Sequence, residues 1–82
     1  MLTTRQYLRN LDKETLKKLF KICTFLNEDE YWVLYYAFVE KRMRENTCMK
    51  LSIGTTKYNT LLNEALIKVE FTIKQLDKIR TI

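Results

Sequence analysis

Glu28, Asp29 and Glu30 form the densest run of reactive side chains in the chain. Neighbouring carboxylates move protons or hold a divalent cation when a fold aims them into one pocket. This sequence offers them no helper. It has no His, the side chain best suited to proton transfer near neutral pH. Its two thiols, Cys23 and Cys48, lack a CxxC spacing, and without His they complete no zinc site. A single Gly excludes a Gly-rich phosphate loop. The triplet has a plainer use. Asn27 suits a helix N-cap, Glu30 falls at the third helical position of a capping box, and anions in a first turn are favoured by the helix dipole. The expectation is therefore a chain that is not an enzyme, with no metal and no cofactor. Both Cys are expected as small core residues, and a disulfide is disfavoured in a reducing compartment.

The cations carry more information. Over 82 residues the net charge is +5. Residues 1–27 hold six basic and two acidic groups, residues 28–40 hold four acidic groups and no basic one, and residues 41–57 hold Lys41, Arg42, Arg44, Lys50 and Lys57 against Glu45 alone. Clustered positive charge is the electrostatic footprint of a nucleic-acid binder, although Lys-rich helices are also common as solvated faces. No apolar run approaches the ~20 residues needed to span a bilayer, and no apolar stretch follows Arg5 and Arg9 as it would in an export signal. A soluble, intracellular chain of one domain, 1–82, is expected, with little capacity for a deep pocket.

These residues need elements to position them, and the spacing predicts helices. Thr3 or Thr4 caps a short helix to Asn10 with Tyr7 and Leu8 inward. Asp12 caps a second, whose apolar positions are Leu16, Leu19, Phe20, Cys23 and Leu26, with Lys13, Lys17 and Lys21 along the opposite face. A third runs from Asn27 to about Arg42 with Tyr31, Leu34, Tyr35, Phe38 and Val39 on one side and Trp32 and Tyr36 beside them. Arg44–Leu51 makes about two turns. Ser52-Ile53-Gly54 is a break, with Gly54 free to take positive φ. Thr55 or Thr56 then caps a helix from Lys57, with Tyr58, Leu61, Leu62, Ala65, Leu66 and Val69 inward. Residues 68–74 also alternate as a strand would, but no turn residue interrupts Leu61–Ile79, and Glu64–Lys68 and Glu70–Lys74 are favourable pairs four apart. One long helix of about 25 residues, roughly 37 Å, is preferred. It outreaches a small domain, and Leu66, Val69, Ile73 and Leu76 on it form a heptad-like seam. The fold class is all-α: a small helical bundle whose residues 44–69 match a helix-turn-helix, with a long C-terminal helix and a dimerisation extension over 66–80.

Leu26-Asn27-Glu28-Asp29-Glu30, Val33-Leu34, Phe38 and the stretch TCMKLSIGTTKYNTLLNEALIKV carry a resemblance. Residues 26–69 resemble the C-terminal helix-turn-helix module of bacterial sigma factors, their region four. They are more similar still to small phage transcriptional regulators of the ArpU/RinA type. Cys48 falls where that family places a small residue that lets two helices approach. Ser52 stands where Gly is usual, Gly54 where a capping Ser is usual, and Thr47 where an aliphatic is usual.

The resemblance implies a sequence-specific DNA-binding transcription regulator of phage or prophage origin, in the bacterial cytoplasm, acting on double-stranded DNA. The helix from Thr56 would enter the major groove with Thr56, Asn59, Thr60 and Asn63 reading base edges. Arg42, Arg44, Lys50 and Lys57 would hold phosphates, with Lys17 and Lys21 as additions. A homodimer through Leu66, Val69, Ile73 and Leu76 would present two such helices. The alternative is a small helical adaptor that binds a protein such as RNA polymerase. The Arg-poor reading helix and the acidic Glu28, Asp29, Glu30 and Glu40 favour it.

Overall fold

The computed structural model describes the backbone of residues 3–80 and the side chains of residues 3–76. Five α-helices follow in order: α1 (Thr4–Arg9), α2 (Lys13–Ile22), α3 (Glu28–Leu34), α4 (Arg44–Leu51) and α5 (Thr55–Arg80). A π-helical turn, Tyr35–Val39, extends α3. Among the described residues there is no strand, so residues 68–74 belong to α5. The bundle measures 44 × 23 × 22 Å. Its long dimension is close to the ~39 Å rise of a 26-residue helix.

Short-range chemistry sets the helix starts. Thr3 closes a capping box with Gln6, the Asp12 carboxylate accepts from the Thr15 N–H at 3.0 Å, and Asn27 closes a second box with Glu30. The hydrogen bonds from Thr15 hold the Asp12 carboxyl below its usual range.

The core is built from Leu8, Leu16, Leu19, Phe20, Cys23, Val33, Leu34, Phe38, Val39, Cys48, Tyr58, Leu62, Ala65, Leu66 and Val69. Both Cys are buried and free, as small core residues. Tyr7, expected inward, is exposed while Leu8 is fully buried; adjacent residues of a helix point about 100° apart, so the two do not share its buried side.

The third helix departs from its expected course. Its buried apolar residues are Val33 and Leu34, then Phe38 and Val39. Each pair member recurs after five residues. In an α-helix that spacing would turn the second pair well away from the first. The wider π turn brings both pairs inward. Tyr31 and Tyr35 are left half-buried, and the helix stops before Arg42. Glu40 donates its N–H to the Tyr35 carbonyl and Arg42 its N–H to the Tyr36 carbonyl, with Lys41 left-handed between them at φ 54°.

The α4–α5 junction corrects a second expectation. Gly54 does not take positive φ; Ser52 does, at φ 56° and ψ 45°. The Ser52 N–H donates to the Met49 carbonyl and the Ile53 N–H to the Cys48 carbonyl. This is a Schellman ending, which demands a left-handed residue just past the last helical one. Gly54 instead precedes α5, its carbonyl accepting the Tyr58 N–H at 2.9 Å. The helix therefore begins at Thr55 rather than Lys57, and Gly54 occupies the capping position.

Candidate nucleic-acid interface

Thr56, Asn59, Thr60 and Asn63 lie in the first turns of α5, and all four are exposed. Steps of three, one and three keep them on one side of the helix, away from the buried line of Tyr58, Leu62, Ala65 and Val69. The Thr60 hydroxyl donates to the Thr56 carbonyl at 3.1 Å. With its proton so committed, the hydroxyl keeps acceptor lone pairs on an exposed side chain. Asn63 accepts from Arg5, Nη2 to Oδ1, at 3.5 Å.

Arg5 is the residue that the sequence reading missed. It arrives from α1, 58 positions away along the chain, and nothing local to either residue announces the meeting. Arg5, Arg44 and Asn59 share a surface groove of about 380 Å³ with Met43, Glu45, Tyr58 and Leu62. Burial pushes the Tyr58 phenol above its usual range, the Cys48 thiol adds to this, and Arg5 and Arg44 oppose it. Two guanidinium groups thus stand on the Asn59 side of the edge. Lys57, exposed, stands on the other side. Glu45 lies 3.5 Å from Arg44 and partly offsets its charge.

The expected phosphate-holding set divides. Arg44 and Lys57 lie by the edge. Arg42 and Lys50 converge on Tyr36, at 5.6 and 5.8 Å from its ring centroid. Arg42 is further tied at 2.8 Å to Glu40 and at 2.8 Å to Asn46. The rings of Tyr31, Trp32, Tyr35 and Tyr36 touch one another in series along that side of the bundle. Lys17 lies 4.0 Å from Glu14, and Lys21 is exposed on α2.

The acidic triplet splits as well. Glu28 and Asp29 are exposed in the first turn of α3. Glu30 is fully buried: its Oε1 accepts the Asn27 N–H at 3.0 Å and the Lys68 ammonium at 2.6 Å. Lys68 therefore bridges to α3 rather than to Glu64, while Glu70 and Lys74 pair as expected at 3.5 Å. Among the described residues no three Cys, Asp or Glu side chains gather to hold a metal ion.

The expected dimer seam is this chain's own core stripe. Leu66 and Val69 are buried inside the bundle and Ile73 packs against them. Of the four, Leu76 alone is exposed. Core packing and dimerisation draw on the same helical spacing, and here α5 packs chiefly on α3, which buries Val33 and Leu34. The extension expected to residue 80 lies, from 77 onward, outside the described side chains. No described helix is long and apolar enough to cross a membrane.

No family model matches the chain, and neither a curated protein nor a solved structure gives a match.

Proposed function

We propose that this chain is a sequence-specific DNA-binding regulator of transcription that lays the first turns of α5 in the major groove of double-stranded DNA. The observation that carries the reading is the exposed edge of Thr56, Asn59, Thr60 and Asn63, with Arg5 and Arg44 on one side and Lys57 on the other. Asn pairs with adenine through two hydrogen bonds, and Thr offers a hydroxyl and a methyl to thymine. The flanking cations hold phosphates and set the register without reading bases.

Two further features support it. The first turn of α5 carries no acidic residue, whereas that of α3 carries three. The positive end of the α5 dipole is thus left for an external anion such as a phosphate. The junction also fills the roles of the family's turn with exchanged residues. Ser52 takes the left-handed position usual for Gly, and Gly54 the capping position usual for Ser. A phage or prophage origin and a place in the bacterial cytoplasm go with the same resemblance.

Salt titration of binding to a mixed-sequence duplex tests the reading. Affinity should fall with salt at a log–log slope of about −0.9 per phosphate contact, and R5A/R44A/K57A should flatten that slope by roughly 2 to 3. On a selected target, Asn59→Ala and Asn63→Ala should each cost about 1–3 kcal/mol of discrimination and leave the salt slope unchanged. Salt-independent binding, or a slope indifferent to the three cations, overturns the reading. Retention of a protein such as RNA polymerase without DNA would favour the adaptor alternative, to which the exposed Glu28 and Asp29 lend charge.

A further inference from the structure

Beyond Asn63 the outward line of α5 changes character. Ile67 is 66% exposed and Phe71 49%, one turn apart and opposite the buried stripe. Phe25, 59% exposed, leans from the α2–α3 connection edge-on against Phe71, with ring centroids 5.6 Å apart. Phe25, Ile67 and Phe71, with the stem of Lys68, line a hollow of about 320 Å³. Exposed apolar groups that touch one another and are rimmed by charge mark an interaction surface.

The rim identifies the occupant. Ile67 and Phe71 lie two residues either side of Val69, and Glu64 and Lys74 lie five residues either side of it. All four project from the outward side of α5, and Glu64 and Lys74 are both exposed. We propose that two copies of this chain associate through this line, with their α5 helices antiparallel about a two-fold axis level with Val69. Ile67 of one copy then meets Phe71 of the other, twice, and Glu64 meets Lys74, twice. The spacing 60, 64, 67, 71, 74 is the alternation of threes and fours by which antiparallel helices interlock. A parallel pair would set Glu64 against Glu64 and Lys74 against Lys74, so the charges select the antiparallel arrangement. One patch facing its own copy is the isologous contact of a two-fold dimer. Phe25 of each copy covers the flank of the central apolar layers.

Charge exchange tests this independently of any nucleic acid. Sedimentation equilibrium of the full chain in low salt should show a monomer–dimer equilibrium, with Ile67→Glu monomeric. E64K and K74E change exposed side chains, and circular dichroism confirms that each variant folds. Each should weaken association roughly tenfold, by setting like charges opposite one another. The double variant E64K/K74E should return to within about threefold of the parent. A chain that stays monomeric up to about 0.5 mM, where even a weak, small interface would register, overturns the proposal and assigns the face to another occupant. A double variant no stronger than the singles overturns it equally.

Discussion

The two halves of α5 share one continuous backbone and differ on both sides. Inward, the proximal half rests on α1 and α4 through Tyr58 and Leu62, beside a junction with a left-handed Ser52. The distal half is tied across to α3 by the Glu30–Lys68 pair and to the end of α2 by Thr72, whose Oγ1 lies 3.1 Å from the Cys23 Sγ. Outward, the proximal half offers amides and hydroxyls between cations, and the distal half offers Ile67 and Phe71. A long helix is thus anchored by specific polar ties where its outer face is apolar. Apolar packing holds it along both halves; where its outer face is polar it adds the exposed Arg5–Asn63 contact and starts just beyond the left-handed Ser52.

The strongest way to break this contrast is to remove the distal tie. Glu30→Ala takes away a capping-box side chain and leaves Lys68 without its buried partner. It should cost about 2–4 kcal/mol in urea denaturation. The distal amides of α5 should gain hydrogen exchange before the proximal ones do. A loss below ~1 kcal/mol, or uniform exchange, would show that packing alone holds the distal half.

Next in size is a gain at the proximal junction. Thr47 is fully buried in α4, and its hydroxyl meets no hydrogen-bond partner among the described residues. Thr47→Val keeps the shape and removes the buried polar group, so stability should rise by about 1 kcal/mol. No gain in the urea midpoint would show the hydroxyl to be satisfied.

A smaller gain should come from giving the turn its usual residues. Ser52→Gly relieves a left-handed conformation, and Gly54→Ser adds a capping hydroxyl where a Cβ meets nothing within 4 Å. Together they should add roughly 0.5–1 kcal/mol in thermal melts. Lower stability would mean that the turn changes geometry with its residues.

The smallest effect is alkaline. Tyr58 holds its proton more tightly folded than unfolded. Its contribution is whole below the unfolded value of about 10 and fades as pH rises through the higher folded value. Tyr58→Phe should remove that part of the alkaline decline in a pH series of melts. An unchanged decline would place its cause elsewhere.

Local chemistry was legible in the sequence, and meetings between distant residues were not. The caps at Asp12 and Asn27, the extent of α4, and the preference for one long helix all rest on residues three or four apart, and these stand in the structure. Gly54 misled because residue type suggested the left-handed position, whereas the hydrogen-bond register at the end of α4 assigned it to Ser52. Tyr31 and Tyr35 were read inward and lie half-buried against the edge of the core, while the π turn that brings Phe38 and Val39 fully inward left no mark in a 3.6-residue period. Lys68 reaches Glu30 and Arg5 reaches Asn63 only once the chain has folded, so neither pairing leaves a trace in local spacing. Leu66 and Val69 were ambiguous for a different reason: a core stripe and a dimer seam have the same period, and only the presence of Val33, Phe38 and their neighbours on that side decides between them.

Thr60 and Ile67 stand seven residues apart, about 10 Å along nearly the same line of the helix surface. A rod laid along the lower stretch of that line overhangs the upper one. If both proposals hold, occupants of the two stretches would shadow one another, and thermodynamic reciprocity would make each weaken the other by the same factor. Self-pairing would then withdraw the reading edge as the chain accumulates, a brake on occupancy that requires no second gene product.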